Sequence, residues 1–220
     1  MHLATRQLRP DPYQPLARAL PVAERVQGLI LYRLRGDMRR LLARQGCVRV
    51  LDLGCGSGCL SCRLAGAGFQ MVGLDASSAM VRRAKRKSHD FGLVQGDATG
   101  LPFGRCFDAV VLSLALHEMA PATRESVWSQ MLRVLRPGGL LVFADFIAGS
   151  FTSSYARAVA SLIDRDERQI GRIHRPHYEN FRQFMNAGGL GAWLATRAAT
   201  SVLERSYWGS NIGLIAVAPA

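Results

Sequence analysis

The sequence predicts an α/β chain built on a doubly wound, mostly parallel sheet, and three observations carry that prediction. Apolar runs of strand length alternate with amphipathic helical stretches from Val48 to Phe146. A glycine-rich turn, Gly54-Cys-Gly-Ser-Gly58, joins the first of those runs to the first helix behind it. Aspartates, Asp75 and Asp97, stand where the next two runs end. Strands and helices alternating at these lengths form βαβ units, whose helices cover both faces of a parallel sheet.

Residues 1–21 hold Pro10, Pro12, Pro15 and Pro21 and read as an extended arm. From Val22 to Leu42 the apolar residues keep helical spacing with arginines between them, and Gly46 ends that helix. Strands are expected at Val48–Leu53, Phe69–Leu74, Phe91–Gln95, Phe107–Leu114 and Leu140–Phe146. The helices between them are Cys59–Ala67, Ser77–His89 and Pro121–Leu135, the last with proline in its first turn. Arg136–Gly139 reads as a turn. After Ile147 the alternation breaks. Helices are expected over Thr152–Ile163 and His177–Asn186, the second ended by Gly188-Gly189, with closing strands at Ser206–Trp208 and Ile212–Ala218. A length of 220 residues fits one domain. It divides into an N-terminal arm and cap helix (1–46), a core (47–146), and an insertion after the fifth strand with closing elements (147–220).

Composition narrows the class. Hydrophobic content of 49% with a mean hydropathy of +0.07 suits a folded core and excludes a disordered chain. The longest apolar runs are strand-sized, well short of the roughly 20 residues of a membrane-crossing helix. The first residues carry arginines and prolines rather than an apolar leader, and five cysteines, an odd number, do not make a disulfide framework. The expected location is the cytoplasm. The net charge is +12, and residues 1–49 supply +7 of it, with ten arginines against Asp11, Glu24 and Asp37. Lys85 and Lys87 are the only lysines. This reads as a solvated basic surface; an acidic substrate, a membrane surface or RNA are the partners it could meet.

The chemistry lies in the glycine turn and the strand ends downstream of it. Gly54, Gly56 and Gly58 let the backbone turn tightly and approach a ligand closely, with the amides of a helix start behind them. Asp75, in Val72–Ser77, is placed to accept hydrogen bonds from two ribose hydroxyls. In Gly96-Asp97-Ala98 a carboxylate and a backbone N–H can read the two edges of an adenine. Phe107–Ser113 and Leu135–Val142 complete the series. In order and spacing these segments resemble the successive motifs of class I S-adenosylmethionine-dependent methyltransferases. The resemblance is strongest to the branch of ubiquinone/menaquinone C-methyltransferases and related small-molecule methylases. It covers Val48 to about Phe146 and fades in the arm and after Ile147. The glycine arrangement differs from the G-x-G-x-x-G of dinucleotide-binding oxidoreductases, and no phosphate-compensating basic residue adjoins it.

The resemblance implies a Rossmann-like class I methyltransferase fold with a seven-stranded sheet and S-adenosylmethionine as cofactor. It places the cofactor on Asp52, Gly54, Cys55, Gly56, Asp75, Ala76, Met80, Asp97, Ala98 and Ser113. It also directs the methyl group beyond the end of the fourth strand, Ser113–Glu118. There His117 is expected to act as base or acceptor-orienting residue, with helix capping or packing as the plain structural alternative. Tyr32, Tyr155, His177 and Tyr178 are expected to line the acceptor pocket. Neither the Asn/Asp-Pro-Pro-aromatic motif of amino-methylating families nor the nucleophilic cysteine of RNA cytosine methylases stands at the fourth strand. The expected acceptor is a small molecule or lipid precursor. An RNA or protein methyltransferase using the basic surface, and a non-catalytic cofactor-binding partner subunit, are the alternatives.

Two patterns suggest metals and are read as structural. Cys55-x3-Cys59-x2-Cys62 has the spacing of the iron–sulfur motif of radical S-adenosylmethionine enzymes. Ser61, however, stands where that family places an aromatic residue, and Cys59 and Cys62 fall on the helix behind the glycine turn. His174-x2-His177 with Glu179 is interrupted by Pro176. No metal is expected.

Overall fold

Strand β1 (Arg49–Leu53) is buried over its last four residues, as a central strand of a parallel sheet must be when helices cover both faces. It pairs in parallel with β2 (Gln70–Asp75) on one side and β4 (Phe107–Ser113) on the other. Outside them lie β3 (Gly92–Gln95) beside β2 and β5 (Leu135–Phe146) beside β4, also parallel. β7 (Ile212–Pro219) runs antiparallel between β5 and β6 (Ala199–Tyr207). Among the described residues the sheet has seven strands in the order β3-β2-β1-β4-β5-β7-β6. The computed structural model describes residues 11, 13–15, 28–87, 90–149, 151 and 153–220. The expected arm before Asp11 and the start of the expected first helix at Val22 lie outside them.

The helices that lie wholly within the described residues are α1 (Tyr32–Arg44), α2 (Cys59–Ala65), α3 (Ser78–Lys87), α4 (Pro121–Val134), α5 (Ser154–Gly171), α6 (Arg175–Asn186) and α7 (Gly189–Ala195). The sheet divides the core in two, because successive strand residues point to opposite faces. Val50, Val111 and Val142 pack with Leu34, Met38 and Leu42 of α1 and with Leu64 of α2. Leu51, Leu112 and Phe143 pack with Val127 and Met131 of α4 and with Leu190 of α7. Each such leucine, taken wholly out of water, contributes about 1.5–3 kcal/mol.

Several expected boundaries move. The helix after Ile147 runs from Ser154 to Gly171, well past Ile163. Gly188 and Gly189, both at positive φ, end one helix and begin another, α7, which the glycine pair conceals in the sequence. The last antiparallel strand but one starts at Ala199 rather than Ser206. Arg136–Gly139 is a bulge inside β5 rather than a turn before it: Phe107 pairs with Leu135 and Ala109 with Leu140, and Gly138 takes φ +74° between them. Asp108 holds this bulge to the start of β1. One carboxylate oxygen accepts from Arg136 Nη1 at 2.7 Å, the other from the amides of Val48 (2.9 Å) and Arg49 (2.7 Å).

The strand order reverses between β1 and β4, and ligands of such sheets bind outside the carboxyl ends of the strands at that switch point. There the loops after β1, β2, β4 and β5 meet.

Candidate cofactor and acceptor site

The loop after β1 is shaped by its glycines. Gly54 adopts φ +67°, and a Cβ on it would stand 3.0 Å from the Cβ of Ala115, in the loop that follows β4. Gly56 adopts φ +54°, and a Cβ there would project into open space. The amides of Gly54 and Cys55 donate to Leu74 O at 2.8 and 3.1 Å, which lays the loop across the end of β2. The amide of Gly56 donates to Asp75 Oδ2 at 2.7 Å, and that of Ser77 to Asp75 Oδ1 at 2.8 Å. Burial raises the pKa of Asp75, and nearby Glu118 and Asp11 add to the effect against those two amides.

Of the remaining residues expected around the cofactor, Asp52 is buried beneath the loop and accepts from Ser61 Oγ at 2.5 Å. Burial, reinforced by Asp75, lifts its pKa to about 7 against Ser61 and Arg35. Cys55 turns its sulfur down onto Gly73, where a Cβ would come within 2.9 Å of it, so its backbone rather than its thiol faces the loop surface. Met80 is buried at the start of α3, Ala98 and Ser113 are half-buried, and Ala76 and Asp97 are exposed. Asp97 closes a turn on Thr99, accepting from its amide and its hydroxyl at 2.8 Å each. The Gly96 amide donates to Asp75 O at 3.0 Å and joins that turn to the end of β2.

The arm supplies two residues that sequence reasoning missed. Asp11 Oδ2 accepts from Ser77 Oγ (2.8 Å), Ser78 Oγ (3.2 Å) and the Ala79 amide (2.9 Å) at the start of α3. Burial works against its charge, but these donors hold its pKa below the usual carboxylate range. Tyr13 donates to Glu118 Oε2 at 2.5 Å, and burial beside that carboxylate pushes the phenol's pKa up. The arm thus links the end of β2 to the loop after β4. Prolines around it signal extension but give no hint of these partners.

The loop after β4 carries His117. Leu114 takes φ +52° and donates to Ala144 O at 2.7 Å, which turns the chain sharply at the carboxyl end of β4. His117 is buried, and its Nδ1 lies 2.7 Å from Asp145 Oδ1. Asp145, buried at the end of β5, also accepts from the amides of Leu116 (2.9 Å) and Phe146 (2.8 Å). Arg124 fixes the same loop by donating to Leu116 O and, on α6, to Asn180 O. The helices after β5 complete the cluster. Glu167 of α5 is buried, with Oε2 2.5 Å from His177 Nε2 and 3.7 Å from His117 Nε2. His177 Nδ1 lies 3.0 Å from Glu118 Oε2, near enough for an ion pair but off the line of a hydrogen bond. Burial disfavours both imidazolium ions, yet the surrounding carboxylates outweigh it and hold His117 at about 8 and His177 at about 9.

His177 is therefore the expected pocket residue that the structure brings to His117. Tyr32 and Tyr155 stand elsewhere, and Tyr178 is separated from His117 by the ring of Phe181. Tyr32 is exposed under the Arg63 guanidinium, 4.6 Å from its ring. Tyr155 is exposed beside Gly209 in the β6–β7 turn. Tyr178 stacks on Phe181 and donates to Asp164 at 2.9 Å. Cys59 and Cys62 face Lys87, at 3.3 Å from its Nζ and 3.8 Å from its carbonyl oxygen. His177 turns toward Glu167 and His117, while Glu179 pairs at the surface with Arg175. Asp145 had a signal, as a lone acid in the apolar strand Leu140–Phe146. Glu167 had none, among the charged residues of α5.

Known proteins share both the fold and these segments. Residues 50–139 match the family described as Methyltransferase domain. The demethylmenaquinone methyltransferase of Beutenbergia cavernae is 43% identical over 137 residues, 61% of this chain and 56% of that protein. The chain thus spans little more than half the length of that relative. The demethylmenaquinone methyltransferase of Renibacterium salmoninarum is 34% identical over 177 residues, 77% of this chain and 72% of that one. The solved structure of a SAM-bound amino pentose methyltransferase from Micromonospora echinaspora superposes with a TM-score of 0.52 at 28% identity, covering 57% of this chain and 55% of that one. The chain belongs to the class I S-adenosylmethionine-dependent methyltransferases and is related to the quinone methylases among them.

Proposed function

We propose that the chain transfers a methyl group from S-adenosylmethionine to a small-molecule or lipid-precursor acceptor. The observation that carries this reading is the link from Gly56 N to Asp75 at the switch point, with His117 at the neighbouring strand end. The crevice suits the cofactor. Gly56 leaves open space where a Cβ would project, and each Asp75 oxygen accepts one backbone amide, so it keeps a lone pair for a ribose hydroxyl. Asp97 and the amide of Ala98 are the residues to meet the adenine, and the backbone of Gly54–Gly56 the amino acid end. Asp52 supports the loop from beneath, and Met80 and Ser113 flank it. When bound, the cofactor supplies an electrophilic methyl group on a sulfonium.

Transfer of that methyl is a displacement governed by positioning. His117 is the catalytic residue we assign to the acceptor side: Asp145 fixes its Nδ1, so Nε2 is turned toward Glu167 on that side. Residues 47–146 hold the cofactor in this reading, and 147–220 close the acceptor side through Glu167 and His177. No helix among the described residues is long and apolar enough to cross a membrane; the cytoplasmic location rests on the five cysteines, all of them free thiols. The test is methyl transfer from radiolabelled S-adenosylmethionine to a panel of quinols, phenols and amines. Transfer to a panel member, abolished by S-adenosylhomocysteine as competitor, supports the reading. Cofactor binding without transfer to any small acceptor, together with transfer to RNA or protein, contradicts the acceptor class.

A further inference from the structure

We infer that His117, Glu167 and His177 form a binding site for one first-row divalent metal ion, zinc or a similar cation, on the acceptor side of the crevice. The inference rests on the methyltransferase reading for its location but not for its chemistry. His117, Glu167 and His177 come from three different segments, the loop after β4, α5 and α6, and each offers a ligand atom within 4.8 Å of the others, all three residues buried. Two imidazoles and a carboxylate are the donor set of three-ligand zinc sites, and a tetrahedral ion held by three protein ligands keeps a fourth position for water or an acceptor oxygen.

Two features separate this cluster from an ordinary buried ion pair. Metal-bound histidines characteristically give their second nitrogen to a carboxylate, which fixes the ring and its tautomer. His117 is arranged that way, with Nδ1 2.7 Å from Asp145, and Nδ1 of His177 has a Glu118 oxygen within ion-pair reach at 3.0 Å. Both Nε2 atoms consequently point toward the one Glu167 oxygen, at 3.7 and 2.5 Å. Convergence gives the second feature: an ion pair joins one cation to one carboxylate, whereas here two imidazoles from different segments turn Nε2 toward a single carboxylate oxygen. Ligand atoms of a tetrahedral ion stand ~3.4 Å apart, so the two Nε2–Oε2 distances need shifts under ~1 Å.

The test uses the full chain, stripped with a chelator and titrated with Co2+, whose visible d–d absorption reports a low-coordinate nitrogen–oxygen site. The expected result is saturable binding of one equivalent with strong visible bands, displaced by Zn2+. Glu167→Gln and His177→Gln should abolish those bands. Asp145→Asn should weaken binding by ~10–100-fold, the usual loss when a carboxylate behind a metal-bound histidine is changed. Glu179→Ala, at the surface beside Arg175, should leave binding unchanged. X-ray absorption of the loaded wild type should show two imidazole ligands, and this needs no variant to fold. Weak, featureless cobalt uptake, or bands that survive both Glu167→Gln and His177→Gln, overturns the site. If cobalt is refused while S-adenosylmethionine still binds, the metal inference fails and the methyltransferase reading stands.

Discussion

Tyr13 and Glu118, 105 residues apart in sequence, share a 2.5 Å hydrogen bond that carries the N-terminal arm from the end of β2 to the loop after β4. With Asp11 fastened to the start of α3, the arm crosses the strand ends where the cofactor is proposed to lie. Tyr13→Phe keeps the ring and removes the bond. Its loss should raise the cofactor dissociation rate about 5- to 10-fold, the equivalent of about 1–1.4 kcal/mol for one hydrogen bond to a carboxylate. Stopped-flow release of a fluorescent cofactor analogue measures this. An unchanged rate would mean that the arm merely packs there.

His117 should matter for turnover and not for cofactor affinity. Its ring meets Asp145, Phe146, Phe181 and His177, whereas the cradle is built from Gly56, Asp75 and their neighbours. His117→Asn should lower kcat by ~10²-fold, as misplacement of a reacting group does, with cofactor Kd changed less than about twofold. Parallel steady-state kinetics and calorimetry decide it. Equal losses in both would place His117 in the scaffold.

Much of this was readable in the sequence, for identifiable reasons. The strands β1, β2, β4 and β5 are apolar because helices cover both their faces, and the glycine turn is marked because Gly54 and Gly56 both take positive φ, with little room beside Gly54. Helix α7 was hidden because Gly188-Gly189 is both the end of one helix and the start of the next. β6 was largely hidden because most of its side chains are exposed at the sheet edge, so no apolar alternation marks it. His117 was readable from its place after the fourth strand. Its contacts with Glu167 and His177 were not, since tertiary packing alone brings α5 and α6 over that loop. The same packing turned His177 away from Glu179, its neighbour in sequence.

The buried carboxyl of Asp52 should make stability fall as pH rises. Its folded pKa of about 7 stands above the unfolded value of 3.8, so the protonated form is favoured by folding. The resulting stability is intact below the unfolded value and is lost as pH rises through about 7, by up to about 4 kcal/mol. Asp52→Asn can still accept from Ser61 and carries no charge. Its Tm relative to wild type should climb between about pH 4 and pH 7 and then level off. A difference that does not vary with pH would contradict the assignment.

Asp108 should show the opposite sign. Burial works against its charge, but the amides of Arg49 and Val48 and the Arg136 guanidinium hold its pKa below the usual carboxylate range. Its stability is therefore present at neutral pH and lost as pH falls through the folded pKa. Asp108→Ala should cost about 1–3 kcal/mol at about pH 7, since two amides lose a charged acceptor, and much less near pH 3. Denaturant unfolding at neutral and at acid pH measures both. Equal costs in the two conditions would argue against the charge.

The central claim is that the Gly54–Gly56 loop and Asp75 hold S-adenosylmethionine, and isothermal calorimetry of the full chain tests it most directly. Asp75 bridges Gly56 and Ser77 and is the carboxylate we assign to the ribose. The expected result is saturable binding at one site per chain for both S-adenosylmethionine and S-adenosylhomocysteine. Asp75→Ala should weaken it by about 1–3 kcal/mol, as loss of hydrogen bonds to a charged acceptor does. No detectable heat with wild type, confirmed by a melting temperature that excess cofactor does not raise, would contradict the claim.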